Sequence, residues 1–221
     1  AELRLKSISG EYHWFGCHYK AITSDAGTVA KVVGKLADIS RQRSREQELR
    51  EQAMRDVLTG IYNKAGEKLI DRMVKEKGQG LFLMLDLNDF KSINDTMGHA
   101  AGDAILTEMG RVLKGACREN DIVARIGGDE FVMFLPGAFD WQTGKRKIGE
   151  IQDSLRTVMI TTWGIRGIRA SIGAALCPED GLDYETLFKA ADEAMYLDKE
   201  QSKNRNESGE AGEENHDRTI S

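Results

Sequence analysis

The stretch "RIGGDEFVMF", residues 125–134, constrains this chain more than any other. The flanking runs "DIVARIG" and "EFVMFLPG" predict a β-hairpin whose turn carries Gly127 and Gly128, followed by Asp129 and Glu130. An ordinary solvated turn needs one glycine and any polar residue. Two adjacent glycines strip Cβ atoms from the backbone, so a phosphate or ribose can approach it closely, with carboxylates aimed at the same place. A second apolar run, "LFLMLDLN" (81–88), ends in an acid and reads as a buried strand. If the hairpin lies beside that strand, Asp86 and Asp129 reach the same end of one sheet. Oxygen ligands on rigid elements, with room left for waters and phosphates, suit Mg²⁺. Two such ions can hold the attacking and leaving oxygens of a phosphoryl or nucleotidyl transfer in line.

The surrounding pattern predicts a frame for that site. "KAGEKLIDRMVKEKG" carries Leu69, Ile70, Met73 and Val74 on one helical face, and "HAAGDAILTEMGRVLKGACR" carries Ile105, Leu106, Met109, Val112 and Leu113. A helix over about 141–158, the strand-like "IRGIRASIGAAL" and the helix "YETLFKAADEAMYLDKEQSK" follow. The resulting order is helix, strand, helix, hairpin, helix, strand, helix. It predicts an α/β (α+β) sandwich with a mainly antiparallel central sheet flanked by helices. Ahead of it, residues 11–39 read as a hairpin turning at "SDAG", and 41–55, rich in Arg, Gln and Glu without Gly or Pro, as a connector helix. The compact domain spans 56–205, and 206–221 is a polar, acidic stretch expected to be a disordered tail.

Composition sets the bounds. With 221 residues there is room for one domain and a smaller piece, and a net charge of -5 argues against a partner such as a nucleic acid polymer while leaving room for a local basic pocket. Cys17, Cys117 and Cys177 are far apart and odd in number, which fits reduced thiols in a cytoplasmic protein better than a disulfide or zinc framework. No run is long and apolar enough to span a bilayer, so no membrane contact is expected of this stretch. The strand-like opening at Ala1 fits a piece cut from a longer protein, whose upstream segments would be free to associate with a membrane.

A second polar cluster, "DLNDFKSINDTMGHAAGD" (86–103), adds chemistry. Lys91 offers a point charge for a phosphate. Asn94 supplies a donor and an acceptor, and Asp103 supplies acceptors. A carboxylate beside an amide matches the donor edge of guanine and mismatches adenine, a distinction that can reach about 10⁴ when the polar groups are buried.

With these residues on the page, the segment from Asp56 to Arg205 resembles the GGDEF family of diguanylate cyclases. The pentad Gly127 to Phe131 carries the resemblance together with "DVLTGIYNK" (56–64), "DLNDFKSINDTMGHAAGD" and "ADEAMYLDKEQSKNR" (191–205), in order and at matching spacing. The resemblance implies a fold related to nucleotide-cyclase and polymerase palm domains, and condensation of two GTP into cyclic di-GMP with release of two pyrophosphates. It implies two Mg²⁺ per site, or Mn²⁺ in their place, held by Asp86, Asp129 and the carbonyl of Leu87. Glu130 would organise the metals or the 3′-hydroxyl. Phe90 and Lys91 would meet the triphosphate through backbone amides, beside Gly127 and Gly128, and Asn94 and Asp103 would read guanine. Lys199 and Lys203, four apart on one helical face, would clamp the terminal phosphates. Asn88 stands where the family often has an acid, Ser202 where it has glycine, and Lys203 where it has arginine, which keeps the charge but loses the bidentate geometry.

The resemblance also implies control. Arg118 and Asp121 form an R-x-x-D pair at the family's product-inhibition position, so cyclic di-GMP is expected as inhibitor as well as product. One short groove holds one GTP, so the active state is expected to be a homodimer with two sites facing each other. Residues 1–40 resemble the last strands of a PAS sensor domain. The alternative reading is a catalytically weak module that binds GTP or cyclic di-GMP and signals through a partner.

Overall fold

Strand alternation and helical periodicity become layers once the strands pair. The computed structural model describes residues 1–23, 25, 27–137, 139–163 and 170–213, the side chains of 163, 198 and 200–213 excepted. The chain divides into two compact units, Ala1–Ala53 and Met54–Ser221.

In the first unit, β1 (Glu2–Lys6), β2 (Tyr12–Thr23) and β3 (Val29–Asp38) form an antiparallel sheet in that order, followed by α1 (Ser40–Ala53). The register places Leu3 opposite Phe15 and Cys17 opposite Leu36, so alternation gathers these apolar side chains on one face. Arg4, Trp14, His18, Lys20 and Lys35 share the other face. The Trp14 amide donates to Ser40 Oγ at 2.8 Å and the Arg43 guanidinium lies 4.0 Å from the Trp14 ring, which ties the sheet to the start of α1. No residue of α1 is buried, as a polar connector predicts.

The second unit runs α2 (Gly66–Lys77), β4 (Gly80–Leu87), α3 (Phe90–Met97), α4 (His99–Gly115), β5 (Ile122–Arg125), β6 (Glu130–Pro136), α5 (Trp141–Trp163), β7 (Ala170–Cys177) and α6 (Tyr184–Glu213). Its sheet has the order β5-β6-β4-β7 with every pairing antiparallel, the sandwich expected from the sequence. Two elements differ from expectation. Residues 90–97 form a helix of their own, reached through Asp89 at φ 58°, a left-handed conformation that aspartate tolerates better than most residues. The backbone of α6 continues to Glu213, into the segment expected as tail, because Glu, Asn and Ala there carry no breaker stronger than Gly209. Residues 214–221 lie outside the described residues.

Period-two alternation along β4 sorts two cores. Leu81, Leu83, Leu85 and Leu87 join Phe131, Met133 and Leu135 beneath α4 and α5. Phe82 and Met84 join Val132 and Phe134 beneath α2 and α6. Burying each of these side chains contributes about 1.5–3 kcal/mol. Tyr184 seats the start of α6 on this second face, with its ring 5.7 Å from Phe82 and 5.6 Å from Phe188. Further along, α6 lies directly on Gly173 of β7. A Cβ there would fall 2.6 Å from the Met195 amide nitrogen and 2.7 Å from its Cβ, and closer still to the Ala191 carbonyl oxygen. Gly173→Ala is therefore expected to cost about 1–3 kcal/mol by overpacking and to lift α6 from the sheet. Urea unfolding of the variant checks this, and an unchanged midpoint would contradict the close approach.

Candidate active site

The second face of the sheet changes character at one end. Antiparallel pairing sets Asp86 opposite Glu130 on β6 and opposite Ser171 on β7, and directly opposed residues point to the same side. The face that begins as Phe82 and Met84 thus ends in a polar row, Ser171, Asp86 and Glu130. Ser171 is completely buried and its hydroxyl lies 2.9 Å from Asn88 Oδ1. Asn88 is therefore engaged in holding the end of β4, at the position where an acid was the more usual expectation.

The turn answers the question its glycines raise. Neither Gly127 nor Gly128 has a positive φ, so the backbone conformation does not require glycine at either position. A Cβ on Gly127 would sit 2.7 Å from Glu130 Oε2, so the glycine makes room for that carboxylate to fold back over the turn. Around Gly128 nothing lies within 4 Å of the Cβ position, and the backbone is open to approach. The turn closes through the Ile126 amide donating to the Glu130 carbonyl at 3.0 Å.

Arg125 and Asp56 hold this turn, and the motif reading assigned a role to neither. Arg125 Nε donates to the Gly128 carbonyl at 2.9 Å, while its Nη1 reaches Asp56 Oδ1 at 3.2 Å. Thr59 donates to the same carboxylate through its hydroxyl, 2.7 Å, and its amide, 2.9 Å. Burial by itself would push the Asp56 carboxyl up, but the Thr59 bonds and then Arg125 outweigh it and hold the group below the usual range. The presence of Asp56 and Thr59 within "DVLTGIYNK" was the available signal. Gly110 gives Thr59 its seat, since a Cβ there would lie 2.8 Å from Thr59 Cβ.

Charge accumulates where the sheet ends. The Asp129 carboxyl is pushed above its ordinary value of 3.8, first by partial burial and then by the charge of Asp86. Glu130 is pushed up by burial, then by Asp86 and Asp129, with Asp192 of α6 adding to the effect. Against these acids stands Lys199 Nζ, 2.8 Å from Asp86 Oδ1. A cavity of about 510 Å³ opens here between α6 and the sheet end, lined by Asp86, Glu130, Asp192, Tyr196 and Lys199 among others.

The remaining expected residues fall into two groups. Phe90 and Lys91 are the first residues of α3, where amide N–H groups lack intrahelical partners and favour anions. Asn94 of α3 lies against Gly102 of α4, with its Oδ1 in the space a Cβ would need, and Asp103 is the next residue of α4. Gly102 is a helical glycine whose purpose only this contact reveals. Arg118 and Asp121 lie apart from the acids, at the turn between α4 and β5. There the Arg118 amide donates to Asp121 Oδ2 at 2.7 Å and the Arg118 side chain is exposed. The side chain of Lys203 lies outside the described residues.

The donor set fits a hard divalent cation: carboxylate oxygens gathered at the sheet end, with burial and then the charge of Asp86 raising Asp129 and Glu130, and no sulfur or imidazole among them. Among the described residues no three His, Cys, Asp or Glu side chains are already drawn together as a finished metal cage.

The sequence matches the family described as "Diguanylate cyclase, GGDEF domain" over residues 53–205. The chain belongs to the GGDEF family. Its GGDEF domain is 32% identical over 165 residues to diguanylate cyclase DgcS of Shewanella oneidensis, covering 72% of this chain and 53% of that protein. Among solved structures it is similar to a sensory box/GGDEF family protein from Caulobacter crescentus, at TM-score 0.59 and 31% identity, covering 67% of this chain and 99% of that one. It is also similar to the coiled coil and GGDEF domain of DgcB from Caulobacter crescentus in complex with c-di-GMP, at TM-score 0.62 and 26% identity, covering 74% and 89%. Against the first curated relatives the chain spans between 21% and 53% of their length. The palm-like cyclase fold expected from the sequence is the fold of these GGDEF neighbours. Among the described residues no helix is long and apolar enough to cross a membrane.

The raised acids carry a stability consequence. A carboxyl with a folded-state pKa above its unfolded one favours the fold while protonated, and that contribution is lost as pH rises through the folded value. Asp129→Asn is therefore expected to melt at a higher temperature than the wild type at pH 7. The gap should shrink as pH falls toward 3.8, where the wild-type acid also becomes neutral. Thermal melts at the two ends of that range check it, and a constant gap would contradict the repulsion.

Proposed function

We infer that this GGDEF domain condenses two GTP molecules into cyclic di-GMP with release of two pyrophosphates. The observation that carries the reading is the register of β4 and β6, which sets Asp86 beside Glu130 and brings the turn acid Asp129 within reach of the same charge, next to Gly128, whose backbone is open. Asp86, Asp129 and the Leu87 carbonyl would hold two Mg²⁺ ions, which when bound supply charge neutralisation for the triphosphate and activation of the 3′-hydroxyl. Phe90 and Lys91 present amide donors to the phosphates at the start of α3. Asn94 and Asp103 take the guanine edge, and the selectivity for guanine follows from the donors each can satisfy. Lys199 and Lys203 of α6 meet the terminal phosphates as point charges. Glu130 keeps a proton more readily than an ordinary glutamate, which suits a group handling the 3′-hydroxyl proton.

One set of guanine readers serves one GTP, so turnover requires two domains with each 3′-hydroxyl in line with the other's α-phosphate. Residues 1–40 are read as the closing strands of a PAS sensor domain, and α1 as the connector through which pairing is set. The protein is expected to work in the cytoplasm, where GTP is available. Arg118 and Asp121 form a second locus for cyclic di-GMP, supported by the exposure of the Arg118 side chain and by Asp121 being fixed through the Arg118 amide.

Incubation with GTP and Mg²⁺, followed by chromatography, should show cyclic di-GMP, with a rate that rises more steeply than linearly with protein concentration. Asp129→Ala should lower the rate by at least about 10³, the scale of losing a principal transition-state contact. A protein that consumes no GTP even when concentrated would favour the alternative of a binding module. Arg118→Ala should leave the initial rate intact while abolishing inhibition by added cyclic di-GMP, and inhibition unchanged in that variant would remove Arg118 from the control site.

A further inference from the structure

The ammonium of Lys199 stands where a cation belongs. It lies 2.8 Å from Asp86 Oδ1, on a carboxylate whose side chain is only 14% exposed and whose cross-strand neighbour is Glu130. The groups facing it from the packed elements are acids: Asp86 from β4, Glu130 from β6, Asp129 from the turn and Asp192 from α6 itself. Lys199 reaches the strand end because α6 rests on β7 without an intervening side chain at Gly173, and Lys199 lies one helical turn beyond Met195. The same lysine is assigned above to the phosphates of GTP. With no nucleotide present, its charge is already engaged by Asp86.

We propose that Lys199 is the resident counter-ion of the cation site, and that it must leave Asp86 before a divalent cation can bind there. Cation loading and phosphate capture are thereby coupled through one side chain. This inference rests on the assignment of Asp86 as a metal ligand. Without a divalent cation, Lys199 neutralises Asp86 and is withheld from phosphate. When the cation takes Asp86, Lys199 is released into the cavity it already lines, free to meet a phosphate there. By linkage, whatever favours one event favours the other by the same factor. The site therefore discriminates a metal-bound nucleotide from a bare one without any additional residue.

The test is Mn²⁺ binding to the nucleotide-free protein, read by the electron paramagnetic resonance signal of free Mn²⁺, so that no turnover is involved. Lys199→Met removes the competing charge at nearly constant length and should tighten Mn²⁺ binding about tenfold, within the usual range of coupling between sites. Lys199→Arg should retain the wild-type affinity within about threefold, because a guanidinium still pairs with Asp86. Lys203→Met removes an equal charge one turn further along the helix and should change affinity less than Lys199→Met. Asp86→Asn should abolish the binding in both the wild-type and the Lys199→Met background. Equal tightening by the Lys199 and Lys203 variants, or none from Lys199→Met, would overturn the proposal. If cyclic di-GMP is still formed in that case, the coupling alone is wrong. If Asp86→Asn leaves Mn²⁺ binding intact and no product forms, the assignment of the site falls with it.

Discussion

Placing like charges together at the edge of a hydrophobic core is the constraint on which the rest of this molecule depends. Register along β4 and β6 is fixed by the interdigitation of Leu81, Leu83 and Leu85 with Phe131, Met133 and Leu135, since a slip of one residue would turn every one of these side chains to the other face. The same register leaves Asp86 no choice but to face Glu130. Apolar packing thus holds two acids side by side, and partial burial first, then the charge of Asp86, raises the proton affinities of Asp129 and Glu130. The outcome is a concentration of negative charge at one end of the sheet, partly offset by Lys199.

Three supports surround that corner, and each uses a different physical device. The Arg125 side chain spans from the Gly128 carbonyl to Asp56, tying the glycine turn to a loop 69 residues earlier in the chain. The missing side chain of Gly173 lets α6 lie on β7, which brings Lys199 to the strand end. The missing side chain of Gly102 lets α3 and α4 approach until Asn94 Oδ1 lies against the α4 backbone. In each case the element carrying the functional group is positioned by a residue that is not itself one of the expected ligands. Loss of these contacts would loosen the site while leaving its chemistry nominally present.

Much of this was legible in advance because periodicity and residue type report local structure faithfully. The apolar run 81–88 announced a buried strand, the helical spacing of Ile105, Met109 and Val112 announced a helix, and the two glycines between apolar runs announced the hairpin of β5 and β6. The helix at 90–97 was missed because its polar residues had been read as binding groups alone, and its left-handed lead-in at Asp89 carries no breaker signature. Asn88 stands where the family often has an acid, and the bond it accepts from Ser171 was not legible in the sequence because its partner lies 83 residues away.

Sequence by itself determined which groups this GGDEF domain owns: the apolar faces, the carboxylates, the lysines and the glycines that permit close approach. Tertiary structure decided which charge neutralises which. Lys199 sits on Asp86 because α6 folds back over β7 at a bare glycine, and Arg125 sits on Asp56 because the hairpin closes against the domain's first loop. Electrostatic partnership depends on distance and burial in three dimensions, and residues far apart in the chain acquire both only when the two cores have packed.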